Sequence, residues 1–166
     1  MKTLETLKKL INFYYYFLVL GFVFFTLLPI LFWFGKIKSL DLIKGYDFNN
    51  LNLLELFVIT FVLICIYFFF VKAIYLLKGT LKDLSEGNYF SELVINNFKI
   101  IGKYVLISGI SFSVFRFILR LILLSDIKIG IDNTLIISII IGLFFMFLSE
   151  AFAKARQVKQ ENDLTI

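Results

Sequence analysis

Apolar residues gather in four long runs along this chain, and polar residues gather in the segments between them. The runs extend over residues 13–35, 53–77, 100–125 and 134–153. Each run is about 20 residues or longer, which is enough for an α-helix to cross the hydrocarbon core of a bilayer. The pattern therefore predicts an all-α polytopic membrane protein with four transmembrane helices, which we number spans 1 to 4.

The composition agrees with a membrane environment. Hydrophobic residues make up 60% of the chain and the mean hydropathy is +0.93, so a water-soluble fold would expose large apolar patches. The tails and the connecting segments are too short to hold a soluble domain of their own. We therefore expect a single domain whose partner is the lipid bilayer.

Basic residues are distributed unequally between the two sides that the spans define. The amino tail, the segment between spans 2 and 3, and the carboxyl tail carry Lys2, Lys8, Lys9, Lys78, Lys82, Lys99, Lys103, Lys154, Arg156 and Lys159. The other two segments carry only Lys36, Lys38, Lys44 and Lys128. Because basic residues favour the cytoplasmic side, both termini are predicted to be cytoplasmic. A basic inner rim facing anionic lipid accounts for the net charge of +5, so no direct contact with nucleic acid is expected.

The connections indicate how the spans are arranged. The outer segment 126–133 is only a turn, which makes spans 3 and 4 antiparallel neighbours in a four-helix bundle. The outer segment 36–52 mixes polar and apolar residues and is predicted to form a short interfacial helix and a turn.

The inner segments are expected to be partly helical. Gly87 and Asn88 form a turn signal, and Ser91 can cap a helix that continues into span 3. We therefore predict a cytoplasmic helical elbow at residues 78–99 and a cytoplasmic tail at residues 154–166.

Small and polar residues follow one line on each of the last two spans. At 100° per residue, span 3 aligns Gly102, Gly109, Ser113, Arg116 and Arg120. Span 4 similarly aligns Thr134, Ser138, Gly142 and Ser149. Small residues let helices approach closely and charged residues avoid lipid, so the two lines are predicted to face one interior.

The arginines of span 3 form the first candidate site, an intramembrane polar core of Arg116, Arg120, Ser113 and Glu55. An arginine near the bilayer centre costs about 2.5–3.5 kcal/mol on insertion scales, so it needs a partner or water. Glu55, at the outer end of span 2, lies at a depth that Arg120 could reach. One interpretation is a water-filled cavity, open outward, that receives an anion or a polar ligand. The other is a polar clamp that fixes the helix register.

Lys72 and Glu150 form the second candidate group, because both lie at the same depth toward the inner side of their spans. Matching depth allows an ion pair that would couple span 2 to the carboxyl tail as a switch. Alternatively, both side chains extend to the headgroup region. Glu150 points about 120° away from the polar line of span 4, so it faces a different neighbour.

Several kinds of chemistry are absent from the sequence. The chain has no His, a single cysteine, Cys65, and no inward cluster of carboxylates. This composition supports neither a transition-metal site nor an intramembrane protease, and no Gly-rich phosphate loop is present. We therefore expect no enzymatic activity and no cofactor.

Two segments carry a family resemblance. They are the carboxyl-terminal run Glu161-Asn162-Asp163-Leu164-Thr165-Ile166 and the inner stretch from Gly87-Asn88-Tyr89-Phe90-Ser91-Glu92 to Ile101-Gly102. With them the chain resembles the YoaS-type family of small four-span bacterial membrane proteins, a domain of unknown function. The resemblance implies a multi-pass protein of the bacterial cytoplasmic membrane. Family members are often encoded beside a Cro/C1-type helix-turn-helix regulator, which implies a membrane partner that holds or controls a transcription factor.

Three functional hypotheses follow. The first is a non-enzymatic regulator or sensor that docks a cytoplasmic DNA-binding partner through Phe90, Ser91, Asp163, Leu164, Thr165 and Ile166. Its alternative is a tail that packs against the inner loop of the same chain. The second is a small transporter or channel subunit that selects an anion with Arg116 and Arg120, with a homo-oligomer building the pore. The third is a structural or assembly protein.

Overall fold

Four long α-helices make up the part of the chain that the computed structural model describes, residues 2–33, 52–124 and 133–163. The helices are α1 (Lys2–Trp33), α2 (Leu53–Ser85), α3 (Glu92–Leu124) and α4 (Asn133–Asp163). Each is long and apolar enough to cross a membrane. The prediction of an all-α, four-helix, multi-pass membrane protein is confirmed.

The connection between α2 and α3 is a tight turn, residues 86–91, because both helices extend well into the predicted elbow. The backbone N–H groups of Asn88 and Gly87 donate to the carbonyl oxygens of Asp83 and Leu84, at 3.1 and 3.2 Å. This pairing closes the end of α2 and requires a left-handed residue, which Gly87 supplies with a φ of 88°.

The start of α3 is capped as the sequence predicts. The hydroxyl oxygen of Ser91 accepts the backbone N–H of Val94 at 3.2 Å. A capping hydroxyl satisfies one of the donors that the first turn of a helix leaves unpaired. The cap and the turn before it therefore set the point at which the chain reverses direction between α2 and α3.

The helices are antiparallel and pack in chain order. Among the described residues, no Cα atom of α1 lies within 8 Å of α3 or α4, and none of α2 lies within 8 Å of α4. The largest core cluster lies at the end of the bundle where α1 begins and α4 ends, which we call the terminal end. It includes Ile11, Ala73, Val94 and Ile101, with Phe145 of α4 packed against it, so it draws on all four helices.

The interface between α3 and α4 is the tightest one and uses the small residues of both helices. A Cβ atom built on Gly102 would lie 2.6 Å from the carbonyl oxygen of Gly142, and one built on Gly109 would collide with the side chain of Ser138. The prediction that small residues of spans 3 and 4 face each other is confirmed for Gly102 with Gly142 and for Gly109 with Ser138. The hydroxyl of Ser149 also donates to the carbonyl oxygen of Ile95 across the interface, at 2.7 Å.

An aromatic contact attaches α1 to α2. The hydroxyl of Tyr67 donates to the carbonyl oxygen of Leu18 at 2.9 Å. Its ring stacks with those of Phe22 and Phe25, at centroid distances of 6.0 and 6.3 Å. Gly21 leaves space for the tyrosine, since a Cβ atom there would lie 3.1 Å from the hydroxyl oxygen. One tyrosine of α2 therefore contacts two successive turns of α1.

Three predicted features lie wholly or mostly outside the described residues. They are the interfacial helix at 36–52, the outer turn at 126–133 and the last three residues of the tail, 164–166.

Candidate functional site

The turn between α2 and α3 is attached to the far part of α4. The rings of Phe90 and Phe152 lie 6.0 Å apart between centroids. A guanidinium nitrogen of Arg156 lies 3.6 Å from a carboxylate oxygen of Glu92. Residues 86–92, the turn with the first residue of α3, therefore lie against α4 at the terminal end, and we call residues 86–92 together with residues 152–163 of α4 the terminal surface.

The predicted contact residues occupy different positions on the terminal surface. Phe90 keeps 37% of its surface exposed despite its contact with Phe152. Ser91 is partly buried and its hydroxyl serves the helix cap. Asp163 is exposed at the end of α4, and residues 164–166 lie outside the described range. The tail up to Asp163 thus continues the last helix.

A groove of about 690 Å³ opens beside the terminal surface, between the beginning of α3 and the second half of α4. Its walls combine charged, polar and apolar side chains from both helices: Glu92, Leu93, Ile95, Asn96, Lys99, Met146, Ser149, Glu150 and Ala153. The groove carries one lysine and two carboxylates. It can therefore hold a ligand that has both a positive and a negative group.

The structure places the second candidate pair, Lys72 and Glu150, on helices that do not contact each other. Lys72 directs its ammonium over the ring of Tyr75 on its own helix, 5.3 Å from the centroid. Glu150 lines the groove on the opposite side of α3. The two side chains form no ion pair in this structure. That they act together as a switch stays a prediction.

The structure places the intramembrane candidates at the other end of the bundle. Arg116 and Arg120 are partly buried on α3, and the hydroxyl oxygen of Ser113 is buried with no hydrogen-bond partner in the described part of the chain. The carboxylate of Glu55 accepts the backbone N–H of Asn52 at 2.9 Å and so caps the start of α2. Both interpretations of the arginines, a polar clamp and a ligand cavity, stay predictions.

Lysines and tyrosines meet on α1 and α2 near the terminal end. The ammonium of Lys78 lies 5.0 Å from the ring centroid of Tyr15 and 4.7 Å from that of Tyr16. Nearer the end, the ammonium of Lys8 donates to the hydroxyl of Ser85 at 2.9 Å. Tyrosine and lysine concentrate where the hydrocarbon core meets the headgroups, so these contacts mark that level on the bundle.

Sequence reasoning missed the groove and the residues Asn96 and Lys99 in it. Lys99 was counted only as a member of the basic rim. The small residues could have indicated the groove. When Gly102 is placed level with Gly142 in an antiparallel pair, residues 95–99 of α3 lie beside residues 145–149 of α4. Hydrophobic periodicity alone does not supply that register, because it gives the face of each helix and not the level at which two helices meet.

Comparisons with known proteins place the chain in a family but report no activity. No curated protein and no solved structure matches it. One family model does match, and its description is a protein of unknown function (DUF2975). The match runs over residues 1–166, so it includes all four helices and the terminal surface. The chain therefore belongs to the DUF2975 family.

Proposed function

We propose that this protein is a non-enzymatic membrane regulator that docks a cytoplasmic DNA-binding protein on the terminal surface. The observation that carries the proposal is the attachment of the turn to α4 through Phe90–Phe152 and Glu92–Arg156. Through these contacts, two segments that are distant in the sequence form one surface at the terminal end. A surface assembled in this way offers a partner a fixed shape.

The side chains of the terminal surface suit a polar protein partner. Exposed Phe90 and Tyr89 supply aromatic groups of the kind that anchor protein interfaces. Around them lie charges of both signs, including the Lys82–Glu86 pair at 3.9 Å and exposed Lys159. Interspersed charges favour orientation and specificity in protein association.

The cytoplasmic location of this surface is part of the proposal. The basic residues counted on the terminal side exceed those on the other side, which supports an orientation with both termini in the cytoplasm. The resemblance to YoaS-type proteins supports the cytoplasmic membrane of a bacterium as the location. It also supports a Cro/C1-type helix-turn-helix regulator as the partner, with the Glu161–Ile166 ending as a second point of contact.

Co-purification of the full-length protein from its native membrane tests the proposal. We expect a helix-turn-helix protein to be recovered with the wild type, and Phe90→Ala to reduce its recovery about tenfold by removing an aromatic anchor. Deletion of residues 161–166 should also reduce it. The matched control is Val114→Ala, which shortens an exposed apolar side chain of α3 far from the terminal surface. An unchanged set of partners after both changes would exclude docking there.

A transporter or channel subunit is the second candidate. The hydroxyl of Ser113, one turn from Arg116, favours it, because this buried group has no hydrogen-bond partner among the described residues and a polar ligand or water could bind there. Against it, neither groove described between the helices is lined by Arg116 or Arg120. A homo-oligomer would have to complete the pathway. Anion flux into liposomes that persists in the double variant Arg116→Leu, Arg120→Leu excludes the arginine mechanism.

A further inference from the structure

The groove between α3 and α4 contains opposite charges that do not neutralise each other. Lys99 and Glu150 line the same groove, yet neither forms an ion pair or a hydrogen bond with any group in the described ranges. The second carboxylate, Glu92, lies 3.6 Å from Arg156. A ligand that carries a phosphate and an ammonium group would satisfy Lys99 and Glu150 together. We propose that this groove binds the headgroup of an aminophospholipid of the phosphatidylethanolamine type.

The order of the charges along the membrane normal matches such a lipid. The bond from the Ser149 hydroxyl to the Ile95 carbonyl sets these two residues level with each other. Lys99 then lies about 7.5 Å closer to the bilayer centre than Glu150, at a rise of 1.5 Å per helical residue in antiparallel helices. In phosphatidylethanolamine the phosphate likewise lies nearer the bilayer centre than the ammonium group. The phosphate would therefore contact Lys99 and the ammonium would contact Glu150.

The depth and the walls of the groove also suit a lipid. Lys99 directly precedes the apolar run 100–125, so the groove lies where headgroups meet hydrocarbon. Met146, which the same register places beside Lys99, supplies apolar wall that the glycerol can contact. The volume of about 690 Å³ leaves room for the headgroup together with this part of the molecule.

The chemistry of the lining selects a primary ammonium group. Quaternary ammonium groups have no N–H to donate and are recognised by aromatic faces, but no aromatic side chain lines the groove. A carboxylate such as that of Glu150 accepts charge-assisted hydrogen bonds from an –NH₃⁺ group. A purely anionic headgroup, such as phosphatidylglycerol, would meet repulsion from Glu150 and Glu92. The groove should therefore prefer phosphatidylethanolamine to phosphatidylcholine and to phosphatidylglycerol.

Lipid titrations of the purified full-length protein in detergent, read by native mass spectrometry, test the proposal. We expect phosphatidylethanolamine to bind about tenfold more tightly than phosphatidylcholine or phosphatidylglycerol. Lys99→Gln should weaken phosphatidylethanolamine binding about tenfold, and Glu150→Gln should abolish the preference over phosphatidylcholine. The matched controls are Lys103→Gln and Glu5→Gln, which remove exposed charges that do not line the groove and should keep the wild-type preference.

If the wild-type protein binds phosphatidylethanolamine and phosphatidylcholine equally, the proposal is overturned, whatever the variants show. Retention of the preference in Glu150→Gln, with thermal unfolding like that of the wild type, overturns it as well. Water-soluble phosphoethanolamine supplied at the same concentration should not displace the bound lipid, because it lacks the apolar contacts. Displacement by phosphoethanolamine would contradict a lipid as the occupant.

Discussion

At the scale of single residues, the close packing of α3 against α4 depends on glycine, which has no side chain. The backbone of α3 at Gly102 packs against the backbone of α4 at Gly142, so a methyl group at Gly102 would lie 2.6 Å from a carbonyl oxygen and 3.1 Å from the nitrogen of Met146. Backbone atoms cannot rotate away as a side chain can. The helices must therefore separate to admit any larger residue.

We predict that Gly102→Ala lowers the free energy of unfolding by about 1–3 kcal/mol, the usual cost of overpacking. Unfolding in mixed micelles, followed by circular dichroism, measures the change. Gly79→Ala is the matched control, because no atom of the described residues lies within 4 Å of a Cβ built there. It should stabilise the protein by about 0.4–1 kcal/mol through reduced backbone entropy of the unfolded chain. Equal stability of the two variants would contradict close packing at Gly102.

The same residues show how far single positions can be predicted. The small residues of spans 3 and 4 align at 100° per residue, and close packing of helices in lipid requires small residues, so their meeting follows from the sequence. The proposed pairing of Lys72 with Glu150 also rested on periodicity and depth. The structure separates the two residues because the helices pack in chain order and α3 lies between α2 and α4. The helix face on which a residue lies and its depth in the membrane do not determine which helix is its neighbour.

At the scale of elements, the helices extend well beyond the apolar runs. α1 begins at Lys2 and α2 continues to Ser85, and α3 begins at Glu92. Apolar runs locate the hydrocarbon core, but helix formation by Lys, Leu and Glu continues into the polar region. For this reason the spans and a helical elbow with a turn at Gly87–Asn88 could be predicted, whereas the residues at which α2 ends and α3 begins could not.

The attachment of α1 rests mainly on α2, and Tyr67 supplies both a hydrogen bond and two ring contacts. We predict that Tyr67→Phe keeps the stacking and lowers the free energy of unfolding by about 0.6 kcal/mol, a typical value for a polar contact between membrane helices. Tyr67→Leu should lose about 1 kcal/mol more, because it also removes the aromatic pairs.

Unfolding in micelles compares the two variants of Tyr67. Tyr75→Phe is the matched control, since it makes the same chemical change on the same helix at a hydroxyl that forms no hydrogen bond among the described residues. A loss in Tyr67→Phe as large as that in Tyr67→Leu would show that the hydrogen bond and not the stacking holds α1 in place.

At the scale of the whole molecule, the protein is a four-helix membrane bundle, and both proposed interaction sites lie at its terminal end. The terminal surface and the groove both lie there, joined by Glu92, which lines the groove and contacts Arg156 of α4. A partner on the surface and a lipid in the groove would thus contact adjacent parts of α3 and α4. The proposed docking of a cytoplasmic partner requires the terminal end to face the cytoplasm.

Cysteine accessibility in bacterial spheroplasts tests that requirement most directly. In a Cys65→Ala background, single cysteines are introduced as Asn88→Cys in the turn, Gln160→Cys near the end of α4 and Gly45→Cys in the connection between α1 and α2. We predict that a membrane-impermeant maleimide labels the cysteine of Gly45→Cys in intact spheroplasts. It should label the cysteines of Asn88→Cys and Gln160→Cys only after lysis. Labelling of Asn88→Cys and Gln160→Cys in intact spheroplasts would contradict the cytoplasmic terminal surface.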